Sequence, residues 1–140
     1  MENKRIMALD VGRRRIGIAI SDILGIIATP YGTYERKGFK TDIAYLKGLI
    51  EEKDVVKVIC GLPISVSGLE TEQSTFTRDF AENLQNEITV PLEFIDERYT
   101  TQTATEALIE FDVKRDKRKG LVDKVAASLI LQNYLNVNKN

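Results

Sequence analysis

Residues 4–22 read KRIMALDVGRRRIGIAISD. Through Leu9 the residues alternate, Ile6 and Ala8 toward one face and Met7 and Leu9 toward the other, which is the two-residue period of a β-strand. Asp10 has the parity of Ile6 and Ala8, where alternation calls for an apolar side chain. Gly12 follows, and from about Arg15 a second strand places Ile16, Ile18 and Ile20 on one side. The stretch therefore predicts a β-hairpin with one carboxylate near the end of its first strand. An ionised carboxylate in a half-buried strand is costly unless a cation, an arginine or a metal ion offsets its charge.

Outward from the hairpin, Gly25–Tyr34 predicts a third strand, and Pro30 within it points to an edge or a bulge. Thr41 and Asp42 open a helix with Ile43, Leu46 and Ile50 on one face. Val55–Cys60 is an apolar run broken only by Lys57, as expected of an interior parallel strand. Ser67–Glu70 has the spacing of a capping box, followed by a helix marked by Phe76, Phe80 and Leu84. Pro91–Ile95 predicts another strand, ending at Asp96-Glu97-Arg98. A helix capped by Thr101 carries Ala104, Ala107, Leu108 and Phe111. A polar loop over residues 112–120 then leads to a last helix from Leu121 to about Val137. The order β-β-β-α-β-α-β-α-α implies a mixed sheet with helices on its faces. With no repeat or linker to divide it, residues 1–140 are expected to form a single α/β domain.

The chain has 140 residues, 43% of them hydrophobic and 29% charged, which is the composition of an ordinary globular protein. No apolar run approaches the ~20 residues of a membrane helix. The first residues enter a strand without a signal-peptide core, so a cytoplasmic location and no membrane partner are expected. The absence of histidine excludes His-based triads and His-containing zinc sites. Cys60 is the single cysteine, which rules out an intrachain disulfide and a multi-thiolate site, and its apolar setting predicts a core residue. Carboxylates, lysines, tyrosines and hydroxyls are left to carry any chemistry, and carboxylates hold hard cations such as Mg2+ and Mn2+ well. Net charge is −1, yet Arg13, Arg14 and Arg15 are consecutive at the hairpin turn, and Lys114–Lys119 holds five basic residues in six. Such runs serve as phosphate contacts or as solvated loops.

Three carboxylate positions stand out by placement. Asp10 is one. Asp96 and Glu97 lie at the carboxyl end of a strand, where ligands of α/β sheets usually bind. Asp123 falls in the apolar sector of the last helix, between Ile130 and Tyr134 on a helical wheel. Each has a structural alternative: a turn for Asp96, a surface pair for Glu97 and Arg98, and first-turn dipole compensation for Asp123. Taken together, two strand ends and one helix start can bring acids to one edge of the sheet. Two cations ~4 Å apart in such a cluster can align a water and a leaving oxygen for phosphodiester hydrolysis.

Four blocks in order, DVGRRRIGIAISD, GLP with Gly68, IDERYTT and KGLVDKVAASLILQNYL, resemble the signatures of the YqgF (RuvX-like) family. Those proteins are pre-16S rRNA nucleases similar to Holliday-junction resolvases within the RNase H-like superfamily. The match runs from Lys4 to Leu135. The resemblance implies an RNase H-like five-stranded mixed sheet in the order 3-2-1-4-5, strand 2 antiparallel. It also implies Asp10, Glu97 and Asp123 as catalytic acids and ligands of a two-metal Mg2+ or Mn2+ site filled mainly with substrate, Asp10 touching both ions. Arg14 and Arg15 become the phosphate contacts and Arg98 the arginine of the D-E-R block. Arg13 and Lys119, from the basic runs, complete the expected nucleic-acid-binding set. Residues 66–71 depart from the Asp-Gly-Ser-Glu-Gly wording expected there.

The expected function is metal-dependent endonucleolytic cleavage of RNA in 5′-end maturation of 16S rRNA precursor, by a monomer or homodimer. The alternatives are a resolvase of four-way DNA junctions and a non-catalytic nucleic-acid-binding or transcription factor. Phosphotransfer fits poorly, because arginines stand where actin-like ATPases place a Thr or Ser after the glycine.

Overall fold

Alternation in the sequence translates directly into a two-faced sheet. The structure, a computed structural model, describes residues 2–64, 68–96 and 115–138, with side chains in the last segment described from residue 122. Its strands are β1 (Ile6–Val11), β2 (Arg15–Ser21), β3 (Ala28–Glu35), β4 (Lys57–Leu62) and β5 (Leu92–Asp96). The helices are α1 (Phe39–Glu52), α2 (Glu72–Glu87) and α3 (Arg115–Val137). The sheet order is β3-β2-β1-β4-β5, with β2 antiparallel to both neighbours and β1, β4 and β5 mutually parallel. This is the order expected from the resemblance.

Met7, Leu9, Ile16, Ile18, Ile20, Val58 and Cys60 point to one face. There they pack with Ile43, Leu46, Leu49 and Ile50 of α1 and Phe80, Ala81 and Leu84 of α2. Ala8, Ala19 and Ile59 point to the other face, under Ala127, Ile130, Leu131, Tyr134 and Leu135 of α3. The first face carries large β-branched and aliphatic residues, whereas β1 and β2 offer alanines to α3, so α3 lies close to the sheet. Cys60 is fully buried, as its apolar setting requires. Lys57, which interrupts the β4 run, keeps its ammonium paired with Glu93 at 2.6 Å and within reach of the Tyr134 hydroxyl. Burial works against its charge, but the Glu93 and Tyr134 hydrogen bonds outweigh it and raise its pKa.

Several boundaries differ from expectation. β3 starts at Ala28 rather than Gly25, because Asp22 accepts the N–H groups of Ile26 and Ile27 and closes a turn there. Pro30 does lie on an edge strand, beside a register shift opposite Ile18 and Ala19. The cap of α2 is Thr71 rather than Ser67. Its hydroxyl accepts from Ser74 N–H and the Ser74 hydroxyl accepts from Thr71 N–H, a closed reciprocal box. Ser67 and the helix expected after Thr101 lie outside the described residues. The last helix starts at Arg115, six residues before Leu121. Lys and Arg are good helix formers, and one interior glycine costs only about 1 kcal/mol, so residues 115–120 do not break it. Among the described residues no helix is long and apolar enough to cross a membrane.

Asp42 does not behave as a helix-start residue. Gly38 is the N-cap of α1, and the Asp42 side chain is wholly buried. Its carboxylate accepts from the Tyr34 hydroxyl, the Arg36 Nε and the Lys37 backbone N–H, each at 2.9 Å. Burial raises its pKa, but the Lys37 N–H, Arg36 and Tyr34 outweigh that and hold it below the ordinary carboxylate value. Burial, then the hydrogen bond to Asp42, pushes the Tyr34 phenol up to about 12. Replacing Asp42 by Asn leaves Arg36 buried without its counter-charge, and about 3–5 kcal/mol of stability is expected to go in urea unfolding at neutral pH. Because the folded-state pKa is depressed, this contribution is present above the unfolded-state value and lost as pH falls through the folded one. The gap between wild type and Asp42→Asn should therefore stay constant from pH 7 to about 5 and close only below about pH 4.

Candidate active site

Because β1, β4 and β5 are parallel, their carboxyl ends share one edge of the sheet. Leu9 pairs with Cys60 and Cys60 with Phe94, which sets Asp10 level with Gly61 and Ile95. Ile95 and Ala8 pack on the α3 face, and Asp10 shares their parity. Asp96 has the parity of Leu92 and Phe94, which pack on the opposite face, so strand geometry separates Asp96 from Asp10.

Asp10 is paired directly with Gly17 of β2. A Cβ at Gly17 would lie 2.0 Å from the backbone carbonyl oxygen of Asp123 and 2.3 Å from its carbonyl carbon. The missing side chain thus lets the α3 backbone rest on β2 at Asp123, beside the strand pair that carries Asp10. Two of the three sequence-predicted acids are brought to one face by this contact. Asp123 stands more than two turns inside α3. The helix dipole fades within the first turn, so dipole compensation does not account for Asp123.

The three hairpin arginines part company in space. Arg15, on the acid face, donates from Nε to Asp123 Oδ2 at 2.7 Å, both side chains being partly exposed. Arg13 and Arg14 are exposed at the turn, and the Arg13 guanidinium lies over the Phe76 ring of α2, 4.8 Å from its centre. The turn itself closes through Gly12 N–H donating to Arg15 O at 2.8 Å. A Cβ at Gly12 would meet that same oxygen at 2.8 Å, so glycine is needed there. Arg36 clamps the turn from the side: its guanidinium donates to Gly12 O at 3.1 Å and its N–H to Arg14 O at 2.9 Å. The buried Arg36–Asp42 pair therefore ties the first turn of α1 to the loop that follows Asp10.

Glu97 and Arg98 lie outside the described residues, and Lys119 is described as backbone within α3 only. Among the described residues no three acids or cysteines are grouped closely enough to hold a metal ion. The described pair, Asp10 and Asp123, offers hard oxygen donors of the kind magnesium and manganese take.

Two contributors escaped the sequence reading. Gly17 was legible in principle, since I-G-I-A-I over residues 16–20 sets isoleucines on one face and only Gly17 and Ala19 on the other, the signature of a closely approaching helix. The Arg36–Asp42 clamp joins a strand end to a helix start through tertiary packing and leaves no periodic signal.

The family RuvX, described as Holliday junction resolvase, matches residues 4–137. A relative from Halothermothrix orenii, named "Putative pre-16S rRNA nuclease", is 48% identical over 132 residues, covering 94% of each chain. Relatives of the same name from Clostridium acetobutylicum and Clostridioides difficile are 47% and 43% identical, covering 94% and 100% of this chain and 98% and 99% of their own. In three dimensions the chain is similar to Thermus thermophilus RuvC in complex with Holliday junction substrate (TM-score 0.57, 13% identity, 96% of this chain and 94% of that one). It is equally similar to the fowlpox virus resolvase complexed with substrate Holliday junction DNA (TM-score 0.57, 14% identity, 96% and 99%). At these identities the likeness establishes the fold.

Gly17→Ala is expected to push α3 off β2 and lower stability by about 1–3 kcal/mol, the usual cost of overpacking. Gly32→Ala on the edge strand, where a Cβ meets nothing within 4 Å, should stay within about 0.5 kcal/mol of wild type. Urea unfolding of the two variants side by side checks the contrast.

Proposed function

We propose that this chain, which belongs to the RuvX family, is a divalent-metal-dependent endonuclease that hydrolyses phosphodiester bonds in RNA during 5′-end maturation of 16S rRNA precursor. The observation that carries the proposal is the Gly17 contact, which sets Asp123 on the same sheet face as Asp10 at the carboxyl edge of the parallel strands. The names of relatives above 40% identity support RNA as the substrate class.

In this reading Asp10, Asp123 and Glu97 hold magnesium or manganese. Bound cations of this kind neutralise the scissile phosphate and lower the pKa of an attacking water. Asp10 is held on the central strand β1, between β2 and β4, and so provides the fixed reference of the site. Asp123 is fixed through its backbone against Gly17. Arg13 and Arg14 extend from the clamped turn, where guanidinium groups can take the flanking phosphates. Arg15, Arg98 and Lys119 complete the proposed contacts. The Arg36–Asp42 clamp keeps the turn from shifting relative to Asp10, and a displacement of about 1 Å at such a site can cost about a hundredfold in rate.

The family description keeps a four-way DNA junction as the second substrate to test. End-labelled 16S precursor RNA and a four-way junction, incubated together with Mg2+ or Mn2+, should show cutting of the RNA by wild type. Asp10→Asn should lower that cutting by at least about a hundredfold, the scale of losing a group that acts only in the transition state. Cutting of the junction alone would replace the RNA reading by the resolvase one. Equal binding with no cutting by either protein would leave a nucleic-acid-binding factor.

A further inference from the structure

Of the ion pairs among the described residues, one ties up a proposed metal ligand. Arg15 Nε lies 2.7 Å from Asp123 Oδ2 and so occupies one of the two carboxylate oxygens. A guanidinium in that position satisfies the carboxylate charge and repels a divalent ion from the same site. The pair is also accessible, with 30% of the Arg15 side chain and 22% of the Asp123 side chain exposed. The other arginine–aspartate pair, Arg36–Asp42, is exposed by 10% and 0% and is locked by further hydrogen bonds. The two pairs are built for different purposes. One is a fixed structural clamp, and the other can be opened from solvent.

We infer that Arg15 is an exchangeable counterion that makes metal binding at Asp123 depend on substrate. Without nucleic acid it neutralises Asp123. A substrate phosphate on the acid face draws the guanidinium away, since phosphate offers it the same charge-assisted hydrogen bonds with bidentate geometry. Asp123 Oδ2 is then free to ligate the cation. The exchange needs only side-chain rotation, because the backbone of Asp123 is pinned against Gly17 and that of Arg15 is held in β2, paired with Glu35. Arg15 is thus a positioning residue that acts through Asp123. The inference rests on the metal-dependent reading above and adds an order of events to it.

The test is Mn2+ binding by the full chain, read by electron paramagnetic resonance, with and without a 2′-O-methyl RNA oligonucleotide that resists cleavage. Without RNA, Arg15→Gln should bind Mn2+ about two- to fivefold more tightly than wild type, the fold-change equivalent to losing a partly exposed ion pair. Adding the oligonucleotide should tighten Mn2+ binding in wild type and have a smaller effect in Arg15→Gln. Lys47→Gln removes the same charge from an exposed position of α1, on the other face of the sheet, and should leave Mn2+ affinity without RNA unchanged. Equal Mn2+ affinity in wild type and Arg15→Gln, or equal tightening by Lys47→Gln, would overturn the inference. Asp123→Asn separates the two levels. If it binds Mn2+ as well as wild type does, or if wild type binds none even with RNA, the metal-site reading fails and the inference with it. If it loses Mn2+ while Arg15→Gln gains nothing, the inference alone fails.

Discussion

The architecture depends on a missing side chain. With no Cβ at Gly17, the backbone of α3 settles onto β2 at Asp123, and any larger residue there would meet the Asp123 carbonyl. That approach buries Ala127, Ile130 and Leu131 against Ala8, Ala19 and Ile59, forming the smaller of the two cores among the described residues. It also sets the height and register of the helix, so that Asp123 comes to the edge of the sheet where β1 delivers Asp10. Packing and candidate chemistry therefore share one constraint, and a change at Gly17 alters both.

Around that contact two arginine–aspartate pairs divide the work. Arg36 and Asp42 are buried, cross-linked by Tyr34 and the Lys37 N–H, and tied to the hairpin through the Gly12 carbonyl. Burial makes such a pair costly to break, which suits a rigid clamp on the turn following Asp10. Arg15 and Asp123 are joined by a pair of similar length in a wetter place, where an ion pair contributes little to stability and a competing anion can displace it. Placing one pair inside and the other at the rim keeps the scaffold fixed while the proposed site can exchange its charges.

Much of this was legible in the sequence because it is periodic. The parity of Asp10 with Ile6 and Ala8, the Ile43-Leu46-Ile50 stripe and the apolar run of β4 each follow from the repeat of their element, and each face is filled as expected. Pro30 marked an edge strand because it lacks an N–H to give. The misreadings lie where tertiary contacts override local signals. Residues 115–120 looked like a polar loop because they are charged, yet they continue α3. Asp42 looked like a helix-start residue, but its partners come from the end of β3 and the segment after it. Three consecutive arginines looked like one basic patch, but Arg13 stacks on Phe76 of α2 while Arg15 turns to the opposite face.

Asp10 and Asp123 are proposed as two sides of one metal site. Anomalous diffraction from crystals grown with Mn2+ and a non-cleavable RNA strand tests it most directly. A manganese peak is expected at roughly 2.0–2.3 Å from a carboxylate oxygen of each residue, within the range of hard-cation bonds to oxygen. Manganese bound elsewhere, with both carboxylates remaining in protein ion pairs or hydrogen bonds while the RNA is in place, would contradict it.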